Sequence, residues 1–365
     1  MADAGLVQRA KILLDRLSRQ PRFVGSRGES EARALCRREL ESAGFSCTEI
    51  GFEFSEWPAR WGPPIASAVQ LATLLIAIAF AARGQPLAGL LFAVLLLFLL
   101  SRVGAHLRRS GVLSFPFQRS RSTNLVGVKG EPVVWLVAHL DSKSQSVPML
   151  VRVESTVALQ LASVVVLASV IAVLVGFDPG RRFWLGLGAA AAVAALPSML
   201  CFVGRRSPGA LDNATGVAAV LLAAAASDAA NLGVLVTSGE ELGLAGARHW
   251  VAAAPSRVTA LNCDTVDDLG GWRCMYSGVK PGISAAAAKA AGALGIVIRI
   301  GRLIPGILAD NVAFADAGIE AVTVSRGNFS TLARIHTWRD TSTGLTGRGV
   351  ADASVFLSAL AKELS

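Results

Sequence analysis

The sequence is short of most of what marks a soluble, disulfide-built or nucleic-acid-binding protein. Charged residues make up only 17% of its 365 positions and aromatics 6%, with one tyrosine, four histidines and five cysteines. Five scattered cysteines with no Cys-x-x-Cys pair exclude a disulfide scaffold, and the odd count favours a reducing compartment. Little charge combined with 53% hydrophobic residues excludes disorder. With few aromatics, the excess is aliphatic. A mean hydropathy of +0.52 is too high for an ordinary soluble α/β domain unless the excess is concentrated in a few segments. Acidic residues are also scarce, 26 against 35 Lys and Arg, which gives a net charge of +9. Such a balance suits either nucleic acid or an anionic membrane surface, and the positions of the arginines decide.

Charge is missing altogether from four stretches: Trp61–Ala82 (22 residues), Gly84–Ser101 (18), Ser155–Phe177 (23) and Phe183–Gly204 (22). Each is close to the roughly 20 apolar residues that span a bilayer. They come in two pairs, joined by Arg83-Gly84-Gln85-Pro86 and by Asp178-Pro179-Gly180-Arg181-Arg182. Linkers that short make antiparallel helical hairpins. Two hairpins, 58–109 and 146–206, return the chain each time to the side it left, so the polar segments 1–57, 110–145 and 207–365 share one side. No cleavable signal peptide precedes them: the start is polar, with helical apolar spacing at Leu6, Ile12, Leu13 and Leu17. Ten basic residues flank the spans on the polar side (Arg60, Arg102, Arg108, Arg109, Arg119, Arg121, Lys143, Arg152, Arg205, Arg206) and three sit in the short linkers (Arg83, Arg181, Arg182). The positive-inside rule then predicts an integral protein of a bacterial-type inner membrane with its polar domain in the cytoplasm. Because the basic excess is juxtamembrane, the expected partner is the lipid bilayer and not nucleic acid.

Without the hairpins 252 residues remain, enough for one discontinuous α/β domain. Strand-like runs (46–54, 124–129, 133–138, 232–237, 258–262, 297–301, 319–324) alternate with helix-like ones (29–43, 213–227, 243–254, 283–294, 310–317, 349–364). This predicts an α/β fold, a mostly parallel mixed sheet sandwiched by helices, with its chemistry at the carboxyl ends of the strands. Those ends carry a particular set of residues. The run 133–138 leads into His139-Leu140-Asp141, 232–237 into Ser238-Gly239-Glu240-Glu241, and 258–262 through Cys263 into Asp264. Asp212-Asn213 opens an Ala-rich helix, and a late loop carries His336-Thr337-Trp338-Arg339-Asp340. Taken singly, each has an ordinary explanation, Asp212 as a helix N-cap or Glu240-Glu241 as a solvated turn. Together they mix nitrogen and oxygen donors as Zn²⁺ and similar ions require.

These segments resemble the zinc peptidases of clan MH, the group of bacterial aminopeptidases, glutaminyl cyclase and the transferrin-receptor ectodomain. The resemblance rests on Ala138-His139-Leu140-Asp141-Ser142, on 207–216 around Asp212, on 238–246 around Glu240-Glu241, on Asn262-Cys263-Asp264 and on His336–Thr341, with Pro21–Ser26 similar to an N-terminal substrate-side motif. It implies a phosphorylase/hydrolase-like fold and two divalent metal ions, Zn²⁺ foremost. His139 and Asp264 would hold one, Glu241 and His336 the other, and Asp212 would bridge. Glu240 would be the general base, Asp141 would orient the His139 ring, and Asp212–Asn213 would be a cis peptide. The substrate would be a peptide or peptide-like molecule. Asp340 is expected to anchor the His336 loop, Cys263 to be core, Tyr276 to be a half-buried strand residue, and His106 and His249 to lie at the membrane edge and on a helix surface.

One departure is large. His139 and Asp212 stand 73 positions apart, where relatives use a short loop; taking out 146–206 leaves 12. The second hairpin thus leaves from beside the expected metal site, which predicts a site that opens close to the bilayer. The leading function is a membrane-embedded two-zinc aminopeptidase. A glutaminyl cyclase would need one zinc and not the complete ligand set. A degenerate scaffold or receptor would have lost ligands, and a transporter would place ionisable groups inside its spans. Oligomeric state leaves no trace in the sequence.

Overall fold

The computed structural model describes residues 2–364 except 178, 230, 255–257 and 305; Asp178 of the second short linker therefore lies outside the described residues. The chain opens with α1 (Ala4–Leu17), capped by the Asp3 carboxylate on Leu6 N–H at 2.8 Å, and α2 (Arg27–Ser42), capped by Ser26. Leu13, Leu14 and Leu17 bury the inner face of α1, but Ile12 is 54% exposed and does not share it. Strand β1 (Ser46–Ser55) follows, then two long apolar helices, α3 (Trp57–Ala82) and α4 (Pro86–His106). β2 (Arg119–Lys129) and β3 (Val134–His139) precede a second long pair, α5 (Met149–Leu174) and α6 (Gly180–Met199). The remainder alternates: α7 (Thr215–Ala226), β4 (Leu232–Thr237), α8 (Ala245–Val251), β5 (Thr259–Val266), β6 (Gly271–Tyr276), α9 (Ile283–Ala293), β7 (Ile298–Arg302), α10 (Asn311–Asp316), β8 (Glu320–Gly327), α11 (Phe329–Arg334) and α12 (Arg348–Leu364).

The chain divides into two compact units, Met1–Ser55 with Gln118–Ser144 and Gly204–Ser365, and Glu56–Phe117 with Gln145–Val203. The first holds one eight-stranded sheet in the order β1-β2-β4-β3-β5-β8-β6-β7. The central strands β4, β3, β5 and β8 are mutually parallel, while β1 and β2 add an antiparallel edge. β3 and β4 are buried along their whole length, as parallel strands covered on both faces must be. One face is packed by α8 and α10 through a Trp135, Trp250 and Phe314 cluster, with ring centroids 4.8 and 5.4 Å apart. Gly233 makes room for the Trp135 indole, which a Cβ would meet at 2.4 Å. On the α7 side, that helix is buried almost throughout and packs against α12.

In the second unit, α3 to α6 pack about Leu74, Ala77, Ile78, Ala93, Leu159, Val166, Trp184 and Ala191. Small residues let the backbones approach: a Cβ on Gly89 would lie 2.8 Å from Ala77 O. Four helices are long and apolar enough to cross a membrane, with spans of 26, 29, 26 and 20 residues. The first inserted piece runs beyond the hydropathy-based limit of 109, because the chain stays helical past His106 through a widened turn at Leu107–Gly111 to Ser114.

Candidate metal centre

Every strand end marked in the sequence arrives at one place. β3 delivers His139 as its last residue, and β4 leads through Ser238 and Gly239 (φ 71°) into a tight turn carrying Glu240 and Glu241. β5 carries Asp264 near its end, longer than its apolar core suggested. Asp212 lies in a widened turn before α7, and the bond Asp212–Asn213 is cis, as expected. Asp212 is not a helix cap: α7 starts at Thr215 and Asp212 has extended torsions. Asn213 ties this turn to the end of β5, its amide donating to Cys263 O at 2.9 Å and its oxygen accepting from Thr265 N–H at 3.2 Å. Gly216 permits that approach, since a Cβ there would lie 2.3 Å from Cys263 O. His336 follows α11 with φ 61°, a left-handed torsion that is costly outside glycine and sets where its ring points.

The donors form two overlapping groups, His139, Asp212, Asp264 and Asp212, Glu241, His336, each with its ligand atoms within 4.8 Å of one another. His139 Nε2 is 3.1 Å from Asp212 Oδ1 and 3.5 Å from Asp264 Oδ1. His336 Nε2 is 2.9 Å from Asp212 Oδ2 and 3.1 Å from Glu241 Oε2. One oxygen of Asp212 therefore faces each group. Glu240 stands apart, its carboxylate 3.9 Å from His139 Nε2.

The surroundings of these residues differ from expectation in one respect. The Asp141 carboxylate is 3.8 Å from His139 Nδ1 and instead accepts the backbone N–H groups of Glu240 and Glu241, both at 3.1 Å. The ring's Nδ1–H is met at 3.1 Å by the main-chain carbonyl of Asp141. Asp141 thus orients His139 through its carbonyl and the Glu240-Glu241 turn through its carboxylate. Asp340 does anchor: its carboxylate accepts Leu211 N–H at 2.7 Å and Asp212 N–H at 3.2 Å, so it joins the His336 loop to the Asp212 turn.

Three contributors carried no signal in the sequence. Lys143 places Nζ 2.8 Å from Glu241 Oε2 and donates to the Glu241 carbonyl at 3.0 Å. Asp310, wholly buried, accepts from Thr237 Oγ1 at 2.5 Å. Glu29, also buried, accepts from Gly25 N–H at 2.7 Å and from the Ser238 hydroxyl. An acid that opens a helix, as Asp310 does before α10, reads as a cap, so only the tertiary contact reveals it. Tyr276 is a half-buried residue of β6, and His249 stacks on Phe52 on the flank of α8, centroids 5.3 Å apart.

Seven buried carboxylates, Asp141, Asp212, Glu240, Glu241, Asp264, Asp310 and Asp340, gather here. Burial raises Glu240 well above the ordinary range and raises Asp141 and Asp310 to about 7, with neighbouring acids adding to the effect. Burial disfavours the His139 imidazolium, but Glu240, Asp212 and Asp264 more than offset this and raise its pKa. Burial likewise opposes the Asp212 carboxylate, but the two imidazoles outweigh it and hold Asp212 below its usual range. His139 Nε2 is buried and meets no hydrogen-bond geometry. A buried imidazole nitrogen without a hydrogen bond, among surplus carboxylates, fits divalent cations.

Fold and donor set define the class, an α/β protein whose strand ends gather residues that could hold metal ions. The chain belongs to peptidase family M28, whose model matches residues 123–359. Solved structures share the fold. A zinc aminopeptidase from Bacillus subtilis has a TM-score of 0.58 at 14% identity, covering 98% of this chain and 95% of its own. An aminopeptidase from Aneurinibacillus sp. strain AM-1 gives 0.57 at 14%, covering 97% and 92%. A glutaminyl cyclase from Bacteroides thetaiotaomicron gives 0.57 at 12%, covering 99% and 98%. No curated protein sequence matches the chain.

Proposed function

We propose that the protein is a membrane-embedded aminopeptidase that works with two zinc ions. The observation that carries this reading is the Asp212 carboxylate, which turns one oxygen to His139 and the other to His336. His139, Asp212 and Asp264 would hold one ion and Asp212, Glu241 and His336 the second. When bound, such ions would lower the pKa of a water and polarise the scissile carbonyl. The chain's own residues do the rest. Glu240, held on the turn that Asp141 fixes, takes a proton from the attacking water and passes it to the leaving amine. Its buried setting raises the proton affinity of its carboxylate above that of a solvent-exposed Glu, which makes the ionised group the stronger base for that transfer. The Nδ1–H of His139, engaged by Asp141 O, keeps Nε2 as the lone-pair nitrogen facing Asp212 and Asp264.

The four apolar helices support an integral membrane protein, and the basic flanks support a cytoplasmic peptidase domain. The departure of residues 145–203 from the position next to Lys143 supports a site that meets substrate near the bilayer.

Metal analysis of the purified full-length protein, with hydrolysis of an aminoacyl-amide panel and an N-terminal glutaminyl peptide by wild type and Glu240→Gln, tests the assignment. Two metals per chain, amide hydrolysis, and a loss of kcat of about 10²–10⁴-fold in the variant with both metals retained are expected. Cyclisation of the glutaminyl peptide with no amide hydrolysis would move the protein to the cyclases. A metal-free, inert wild type would make it a scaffold.

A further inference from the structure

The most completely buried cation in the described peptidase unit is Arg22, whose side chain has no exposed surface. Its Nε donates to Leu140 O at 2.7 Å, Nη1 to Leu17 O at 2.9 Å and to Pro208 O at 2.6 Å, and Nη2 to Gly209 O at 2.8 Å. All four acceptors are main-chain carbonyls. Leu140 directly follows His139, and Gly209 comes three residues before Asp212. The backbone of Arg22 repeats the link, its N–H donating to Ser142 Oγ at 3.0 Å and its carbonyl accepting Ser142 N–H at 3.1 Å; Ser142 Oγ in turn donates to Ser207 O at 2.9 Å. Gly209 is fitted to this contact. It has φ 64°, and a Cβ there would stand 2.4 Å from Ser142 Cβ and 3.1 Å from Arg22 Nη2.

A continuous short loop would itself limit how far His139 and Asp212 could separate. Here residues 145–203 intervene as a hairpin whose ends are themselves tied, Ser146 N–H donating to Phe202 O at 3.0 Å and Arg206 N–H to Ser144 Oγ at 3.0 Å. Between those ties and the metal donors, the two segments are held by side-chain contacts, and Arg22 supplies the densest set. Asp340 does the matching task on the other side, binding the N–H groups of Leu211 and Asp212 four residues after His336.

We propose that Arg22 is a positioning residue that staples the His139 loop to the Asp212 turn across the inserted hairpin, so that Arg22 sets the His139–Asp212–Asp264 site while Asp340 sets the Asp212–Glu241–His336 site. This rests on the metal-site reading above. A guanidinium with fixed forked geometry can satisfy four carbonyls at once; an ammonium has three donors and no plane.

The test uses full-length protein in detergent, stripped of metal and titrated with Co²⁺, with affinity from chelator competition and geometry from the visible d–d bands. In a His336→Ala background, which leaves the His139 site, Arg22→Met should weaken Co²⁺ about tenfold or more and alter the bands, with Arg22→Lys intermediate. In a His139→Ala background, which leaves the His336 site, the same substitutions should change affinity by less than about twofold, whereas Asp340→Asn should weaken it about tenfold. Equal weakening of both sites by Arg22→Met, or none alongside a lowered Tm, would overturn the proposal and leave Arg22 a merely structural group. If Arg22→Met does not fold, Arg22→Lys carries the same comparison. Failure of the wild type to bind Co²⁺ would instead break the metal-site reading itself.

Discussion

The peptidase unit and the helical insertions both bury polar side chains, and they treat them in opposite ways. Within the apolar helices of the insertions, buried Gln70, Ser155 and Ser163 are neutral and bond to one another or to main-chain carbonyls. Gln70 Nε2 donates to Ser163 Oγ at 2.8 Å, Ser163 Oγ to Leu159 O at 2.9 Å, and Ser155 Oγ to Ala194 O at 2.6 Å. Apolar side chains such as Leu91, Leu95, Phe98, Val164 and Val193 are more than half exposed on these helices, which suits hydrocarbon as solvent. At the strand ends of the peptidase unit, by contrast, buried carboxylates accumulate, among them Asp141, Asp212, Glu240, Glu241, Asp264, Asp310 and Asp340. A buried charge is tolerated only when something compensates it. These helix groups find their partners within the insertions, whereas the strand ends gather a surplus of carboxylates that divalent cations would compensate. That contrast, more than any single motif, separates the proposed site from the apolar helices.

Asp212→Asn is the change expected to blur the contrast most. It removes the charge that both donor groups share, so both sites should fall together. Metal content of the purified variant should drop from two ions per chain to well below one, with amide hydrolysis lost by more than about 10³-fold. Retention of one tightly held ion would show that Asp212 serves a single site, and the symmetry drawn here from its two oxygens would be wrong.

Asp310→Asn asks how far the charged region reaches. Burial holds Asp310 at about 7, and its carboxyl accepts the Thr237 hydroxyl. An amide keeps an acceptor for Thr237 but removes a charge near Glu240 and Asp264. Both metals should be retained with affinity reduced about tenfold or less, as for other residues behind the ligands, and kcat should fall by a similar factor. Unchanged kcat and affinity would confine the working site to the five donors and Glu240.

How far the sequence reveals this arrangement depends on the kind of interaction. The convergence of the strand ends is legible because a strand leaves its last residues at a fixed end of the sheet, and His139, Glu240-Glu241 and Asp264 each follow an apolar run. The apolar spans were legible because lack of charge is a property of composition. Arg22 and the carboxylate of Asp141 were not, because their partners are main-chain groups that any residue provides. Strand β6, expected only at Tyr276, and helix α11 escaped for another reason: β6 is only partly buried, and α11 has six residues, too few for periodicity to show. The polar start of β2, Arg119–Thr123, is a strand only because it pairs along β1, Ser55 to Ser46 against Arg119 to Val128.

Glu29→Gln sharpens the same comparison through pH. Burial raises the Glu29 carboxyl above its ordinary value. The folded protein therefore holds the Glu29 proton more tightly than the unfolded chain does. Stability contributed by this group is fully present below the unfolded pKa of about 4.3 and is lost as pH rises through the higher folded value. Gln mimics the protonated form, so the stability of wild type relative to the variant should decline from about pH 4 upward and level off once the folded group ionises. Denaturation at fixed zinc, run in parallel on both proteins across pH, reads this difference directly. A difference independent of pH would show that the fold leaves the Glu29 pKa at its unfolded value.

The smallest effect is expected from Gln70→Leu. Gln70 is buried between α3 and α5 and looks, on a helix of this hydropathy, like a residue of consequence. Its removal orphans no donor, because the Ser163 hydroxyl still has Leu159 O to donate to. Leu has nearly the volume of Gln and belongs in an apolar interior. Hydrogen bonds between membrane helices average about 0.6 kcal/mol, since the separated helices find other partners in the bilayer. The variant should therefore lose no more than about 1 kcal/mol in detergent unfolding and keep its metal content and kcat. A loss several times larger, or altered activity, would mean that the polar seam of the insertions does more than hold helices together, and the division between anchor and chemistry would have to be redrawn with Gln70, Gln160 and Ser163 on the side of function.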